Sequence, residues 1–268
     1  MLTILFLGDI VGEPGRSAVI ARLPELKQLW GIDFAIVNGE NAAAGRGITP
    51  RLTIDLLRAG VSVVTTGDHI WDQKEIIGYI DTEPRLLRPI NYPAGAPGAG
   101  SIVLETPKGK VGVINVQART FMQPILENPF PMLDAAVEQM RAETPVIIVD
   151  VHGETTSEKI AIGRYLDGRV SAVLGTHTHV QTADEQIFPG GTAFLCDAGM
   201  CGPVESILGR AIEPIVGRFI SNLPAAFPVA QGEVRLRGAV VEVDETTGRA
   251  LSIRRVNEPG APAQAPAA

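Results

Sequence analysis

An α/β fold is predicted by three observations. Short β-branched runs bounded by glycine recur along the chain, helical patterns separate them up to about residue 180, and later strands follow one another with little helix between. In order, the strand candidates are 2–7 (Leu-Thr-Ile-Leu-Phe-Leu), 34–37, 61–65, 111–116, 146–151 and 171–174, mostly too uniformly apolar to have a solvated face. The clearest helix is 49–59, where Thr49 can cap, Pro50 suits the first turn and Gly60 supplies the stop. Others are expected at 132–141 and 157–166. Beyond them, 192–196, 234–243 and 251–256 read as strands. The alternation in Glu233-Val-Arg-Leu-Arg-Gly238 suits one wet face, so a second, partly antiparallel sheet is expected.

With no internal repeat and no Gly/Ser linker, residues 1–257 read as a single domain. Residues 258–268 offer no core-forming side chain and are expected to be disordered.

Composition narrows the function. The chain has 268 residues, 45% of them hydrophobic and 20% charged, which excludes disorder of the whole chain. Apolar runs such as Val146-Ile-Ile-Val149 fall far short of the roughly 20 residues a membrane span needs. No basic stretch precedes the first apolar run and the acidic Asp9 comes at once after it, so a cytoplasmic protein is expected. Cys196 and Cys201 are too few for a disulfide scaffold and lack paired zinc-ligand spacing, so they read as buried, inert thiols. A formal charge of −7 argues against duplex nucleic acid as a partner, and the pI near 5.2 with no Lys/Arg cluster argues against a nuclease on long chains. One phosphate could still be held locally. A homo-oligomer is left open.

The chemistry is carried by position. All four histidines and several carboxylates fall just after predicted strands: Gly8-Asp9, Asn38-Gly39-Glu40-Asn41, Gly67-Asp68-His69, His152-Gly153 and Gly175-Thr176-His177-Thr178-His179. Ligands of open α/β sheets bind at those strand ends, where loops converge. Singly, a Gly-Asp is a turn or cap and a lone His152 is a hydrogen-bonded structural histidine. Jointly they point to a metal site. Oxygens from Asp9, Glu40, Asn41 and Asp68 with nitrogens from His152, His177 and His179 suit Mn, Fe or Zn. Seven donors exceed one tetrahedral set and suffice for two divalent ions sharing a carboxylate, roughly 3.5–4 Å apart. Against three carboxylates, two such ions leave a net charge of about +1, which attracts a phosphate. His69, next to Asp68 but poorly placed to bind the same ion, is the candidate general acid.

The motif order resembles the calcineurin-like metallophosphoesterase superfamily, with its Asp-x-His, Gly-Asp-x-x-Asp, Gly-Asn-His, lone His and Gly-His-x-His. Gly8-Asp9-Ile10-Val11-Gly12, Asn38-Gly39-Glu40-Asn41 and Gly175-Thr176-His177-Thr178-His179 are more closely similar to its YmdB-like subfamily of bacterial cyclic-nucleotide phosphodiesterases. The resemblance covers residues 1–256. It implies a four-layer α/β/β/α sandwich of two mixed sheets. It also implies one metal on Asp9, Glu40, Asn41 and His179, a second on Glu40, Asp68, His152 and His177, Glu40 as the bridge, and His69 as proton donor. Two departures stand out. Ile10-Val11 replaces the superfamily's first-motif histidine, as in the subfamily, which uses the Asn41 position instead. Asp68 stands where asparagine is usual and adds a negative charge.

The function expected is a dinuclear phosphodiesterase for small substrates, 2′,3′- or 3′,5′-cyclic nucleotides by the resemblance, with no organic cofactor. Its alternatives are a phosphomonoesterase on the same metals, or a non-catalytic metal-binding regulator of RNA metabolism, against which His69 argues. Three further features are set aside. Gly8-x-x-x-Gly12-x-x-Gly15 fits no phosphate-loop spacing and reads as a turn. Arg119 stays outside the catalytic set, and Trp71 is assigned to packing rather than to stacking a base.

Overall fold

The computed structural model describes residues 1–260. In chain order the strands and α-helices are β1 (Leu2–Leu7), β2 (Asp9–Ile10), α1 (Gly12–Trp30), β3 (Phe34–Asn38), α2 (Pro50–Arg58), β4 (Val63–Thr65), β5 (Ser101–Thr106), β6 (Gly109–Gln117) and α3 (Pro129–Arg141). There follow β7 (Ile147–His152), α4 (Thr156–Tyr165), β8 (Ala172–Thr176), β9 (Gln186–Ile187), β10 (Ala193–Leu195), β11 (Met200–Pro203), α5 (Ile212–Ser221), β12 (Val234–Val243) and β13 (Ala250–Pro259). One sheet runs β2-β11-β12-β1-β3-β4, with β13 on β12; the other runs β5-β6-β7-β8-β10-β9. Both are mixed. β1, β3 and β4 are parallel while β12 is antiparallel to β1 and β13; β6, β7, β8 and β10 are parallel while β5 and β9 are antiparallel edges.

The period-2 alternation of the strands builds the layers. Leu2, Ile4 and Phe6 of β1 meet Ile148 of β7 and Leu174 of β8 between the sheets. Leu5 and Leu7 point the other way, onto Val19, Leu23 and Leu26 of α1 and Leu56 of α2. On the far side Val149, Val151 and Val173 pack on Leu133 and Val137 of α3 and Ile162 of α4. The result is the four-layer α/β/β/α sandwich.

The same alternation places the site. On the inter-sheet face of β7, Ile148 is followed by Asp150 and His152; on β3, Ile36 by Asn38; on β8, Leu174 by Thr176; on β4, Val63 by Thr65. All five of those polar residues are buried. The layer between the sheets is thus apolar for most of its depth and polar at the carboxyl ends of the strands.

Several elements differ from expectation. α1 occupies 19 residues whose Gly12-Glu-Pro-Gly start and internal Pro24 mask its pattern, and the Gly8-to-Gly15 spacing is not a turn. It is the entry to this helix, and Gly15 is required because a Cβ there would overlap the Cys201 carbonyl on β11. α5, β2, β5, β9 and β11 were likewise not expected. β13 runs through Glu258 and Pro259, the first two residues of the stretch expected to be disordered. Backbone pairing of Leu236 with Glu258 and Arg235 with Pro259 requires no core-forming side chain. Gly260 follows them, its N–H donating to the Val234 carbonyl at 2.7 Å, and the rest of that stretch, 261–268, lies outside the described residues. Among the described residues no helix is long and apolar enough to cross a membrane.

Candidate metal centre

All eight residues singled out by sequence meet at the strand ends. Glu40, Asp68, His152 and His177 present donor atoms within 4.8 Å of one another. His152 Nε2 lies 3.0 Å from Asp68 Oδ1, 3.2 Å from Glu40 Oε2 and 3.1 Å from His177 Nδ1. On the other side of Glu40 sit Asp9, Asn41 and His179. Asn41 Nδ2 donates to Glu40 Oε1 at 3.0 Å and lies 3.2 Å from His179 Nε2, which is 3.9 Å from Asp9 Oδ1. Glu40 therefore stands between two donor groups. Gly67 allows this crowding, because a Cβ there would overlap both His152 and Glu40.

The electrostatics follow from burial. Desolvation pushes the Asp9 carboxyl up, against His179 and His152, which pull it down. For Glu40 burial is again the strongest single influence, but the charge and the hydrogen bond of His152 together with the charge of His69 outweigh it, and the net shift is downward. Asp68 ends well below the usual carboxylate range: burial raises it, and hydrogen bonds from His152 and His177 overcome that. Burial works against a charged His152, but Glu40 and Asp68 hold it well above the ordinary histidine value. Three carboxylates packed so tightly require counter-cations. Asp9 Oδ1 is buried with no hydrogen-bond partner, an acceptor suited to a cation. With mixed carboxylate and imidazole donors, the residues fit divalent metal ions.

Supporting residues fix the donors. Thr176 Oγ1 donates to Asp150 Oδ1 at 2.7 Å and lies 2.9 Å from His152 Nδ1. The hydroxyl proton being committed to Asp150, His152 Nδ1 must be the donor, and Nε2 is aimed at the site. Asp150 also accepts from Thr65 Oγ1 at 2.5 Å and Asn38 Nδ2 at 3.1 Å, with burial lifting its pKa to about 6. His177 and His179 have φ of 100° and 66°, left-handed conformations that cost on the order of 1–3 kcal/mol each. The loop is held from behind by Asp197 Oδ2, which accepts from Thr178 N at 3.0 Å and Thr178 Oγ1 at 2.8 Å. Lys159 Nζ donates to that same oxygen at 2.7 Å and to the Thr176 carbonyl at 2.9 Å. Lys159 and Asp197 are each 1% exposed.

His69 lines the cavity above the cluster, its Nδ1 3.1 Å from Asp72 Oδ2 and its Nε2 3.7 Å from Asp68 Oδ2. Asp72, Glu154 (3.3 Å from His177 Nε2), Asp150, Lys159 and Asp197 were all missed in the sequence. A carboxylate inside the apolar run 146–151 was the available signal for Asp150. Arg119 is exposed and does not line the cavity, and Trp71 packs edge-on against Tyr92 with ring centroids 5.7 Å apart.

Comparison with known proteins identifies relatives over nearly the whole chain. A family model described as "YmdB-like protein" matches residues 5–256. A 2′,3′-cyclic-nucleotide 2′-phosphodiesterase of Bacillus subtilis (strain 168) is 47% identical over 255 residues, covering 95% of this chain and 96% of that protein. The crystal structure of a hypothetical protein from Thermus thermophilus superposes with a TM-score of 0.90 at 40% identity, covering 97% of this chain and all of that one. That of a novel phosphatase from Mycoplasma pneumoniae gives 0.90 at 34% identity, covering 97% and 94%.

Proposed function

The chain belongs to the YmdB-like protein family, and from that premise we propose that it is a dinuclear metal-dependent phosphodiesterase acting on small cyclic nucleotides, 2′,3′-cyclic nucleotides first. The observation that carries the reading is the pair of donor groups sharing Glu40 beneath a cavity of about 670 Å³. Asp9, Glu40, Asn41 and His179 would hold one ion, and Glu40, Asp68, His152 and His177 the other, with Mn or Fe favoured over Zn. The chemistry such ions supply when bound is an acidified water and positive charge beside the phosphoryl oxygens.

The chain's own residues do the rest. Asp150 and Thr176 keep the His152 proton on Nδ1, and Asp197 with Lys159 keeps His177 and His179 turned inward. His69, with Nδ1 on Asp72, gives a proton from Nε2 to the departing 2′ oxygen. The oxygen of water adds to phosphorus and its surplus proton passes to solvent, from which His69 is reprotonated; the bond from phosphorus to the 2′ oxygen breaks, and a 3′-phosphomonoester remains. Because donors come from the ends of both sheets, residues 1–257 act as one domain. Cytoplasmic residence completes the reading, with Cys196 and Cys201 buried and unpaired.

Protein stripped with chelator and resupplied with Mn²⁺ should hydrolyse bis(p-nitrophenyl) phosphate faster than p-nitrophenyl phosphate, and should open 2′,3′-cyclic AMP. His69→Ala should lower turnover by about 10²-fold or more at unchanged metal content, measured by elemental analysis. A monoester preference would favour the phosphatase reading, which the Mycoplasma relative supports. No turnover of any ester by metal-loaded protein would leave the regulator.

A further inference from the structure

Lining the same cavity as the donor cluster is an apolar wall of Ile207, Leu208, Ile215, Phe219 and Phe227, contributed by α5 and the segments flanking it. Phe219 is 83% exposed and Phe227 41%, an uncommon placement for two phenyl rings unless something apolar meets them.

The wall is tied to the cluster at both ends. At one end the Leu208 carbonyl accepts from His179 Nδ1 at 3.0 Å. At the other, the Arg210 guanidinium donates to the Phe227 carbonyl at 3.0 Å and also to the Ala44 and Gly45 carbonyls. Those two carbonyls belong to the turn that follows Glu40 and Asn41, so one arginine fastens the phenyl-bearing segment to the donor loop.

We propose that this wall receives the base of a nucleotide substrate, with Phe219 as the stacking face and Phe227 beside it. The inference rests on the phosphodiesterase reading and adds to it the part of the site that recognises what the phosphate is attached to. A cavity of about 670 Å³ lies in the usual range for small-ligand pockets, roughly 300–1,000 Å³, and a phosphate group would occupy only its floor. An apolar, aromatic surface continuous with a phosphate-attracting floor matches a nucleotide, which carries its charge at one end and a flat π-face at the other. The five wall side chains carry no hydrogen-bonding group, so stacking on them favours the larger purine face, while Arg46 and Arg218 are the nearby lining groups able to hydrogen-bond. Trp71, the other aromatic near the motif, is turned into packing with Tyr92 and is not available for this role.

The test is titration calorimetry on Mn²⁺-loaded protein with 3′-AMP, 3′-CMP and inorganic phosphate as separate probes. Wild-type protein should bind 3′-AMP more tightly than 3′-CMP, and both more tightly than phosphate. Phe219→Ala should weaken 3′-AMP about tenfold or more and leave phosphate unchanged; Phe219→Trp should restore 3′-AMP binding. Being so exposed, Phe219 can be truncated without loss of fold, and equal melting temperatures check this. Equal weakening of all three probes, or of none, would overturn the proposal. So would a change in sedimentation of Phe219→Ala with 3′-AMP affinity intact, which would assign the face to a second copy of the chain. The two readings separate cleanly. Phe219-dependent binding of 3′-AMP by a protein that opens no cyclic nucleotide would uphold the wall and sink the phosphodiesterase, whereas turnover with unchanged KM in Phe219→Ala would do the reverse.

Discussion

At the scale of single residues, the site depends on groups that never touch a substrate. Thr176 is the clearest, since its one hydroxyl proton is spent on Asp150 and its lone pair orients His152. Thr176→Val, nearly isosteric, should therefore weaken Mn²⁺ binding by about 10–100-fold with little change in secondary structure, as read by metal titration and circular dichroism. The meeting place of the donors was legible: all seven candidate ligands and His69 gather at the strand ends. Their supports were not, because a threonine in a strand or a lysine in a helix carries no mark of its partner. Lys159 is the extreme case, lying in a helix whose other charged residues are largely exposed, yet it is itself buried against Asp197. Asp68 was visible as a departure. In the fold it accepts contacts from two imidazoles, so its extra charge is spent inside the cluster rather than facing the cavity.

At the scale of elements, the loop from Thr176 to His179 is the part under tension, with two histidines in left-handed conformations. What keeps it in place is the tie from α4 to the segment after β10, made by Lys159 and Asp197. Lys159→Met should leave a buried carboxylate without its partner and cost about 3–5 kcal/mol, seen as a lower urea midpoint at unchanged slope. Most strands and three helices were legible from alternation and caps; Thr49 indeed accepts from Leu52 N at 3.3 Å. α1 was hidden because Gly15 answers to close approach against β11 and Gly12 to close approach against Val229 rather than to helix propensity, and Pro24 interrupts the pattern further on. α5 was hidden for the opposite reason. Of its apolar residues Ile215 is buried while Val216, Phe219 and Ile220 stay exposed, so burial marks it weakly, and the wall it helps to form could not be anticipated.

At the scale of the whole molecule, the candidate donors come from both sheets. Asp9, Glu40, Asn41 and Asp68 follow strands of one sheet or lie at their ends, and His152, His177 and His179 belong to the other. Metal should thus stabilise the entire sandwich: at a free concentration of 100 times Kd, one site contributes about 2.7 kcal/mol. Differential scanning calorimetry should show a single transition that rises with Mn²⁺ and falls with chelator, and an unmoved transition would mean that the ion bridges nothing. The sandwich was implied by the family resemblance, and the change of pattern after about residue 180 was readable from the strands themselves. The strand order was not, since β12 reaches back to pair with β1 across more than two hundred residues and local signals do not encode such a partner.

That pairing dictates when the molecule can exist. During synthesis β1 emerges first and must wait, one edge unpaired, until Val234–Val243 has left the ribosome. Until then the sheet that carries Asp9 and Glu40 lacks the strand joining β1 to β11 and β2. The nascent chain therefore presents an unsheltered β edge for most of its translation, a template for pairing with neighbouring chains. Metal capture must then follow the synthesis of β12, and slowing the ribosome over the codons of that strand would lengthen the period in which a chaperone, rather than a cation, is the partner of β1.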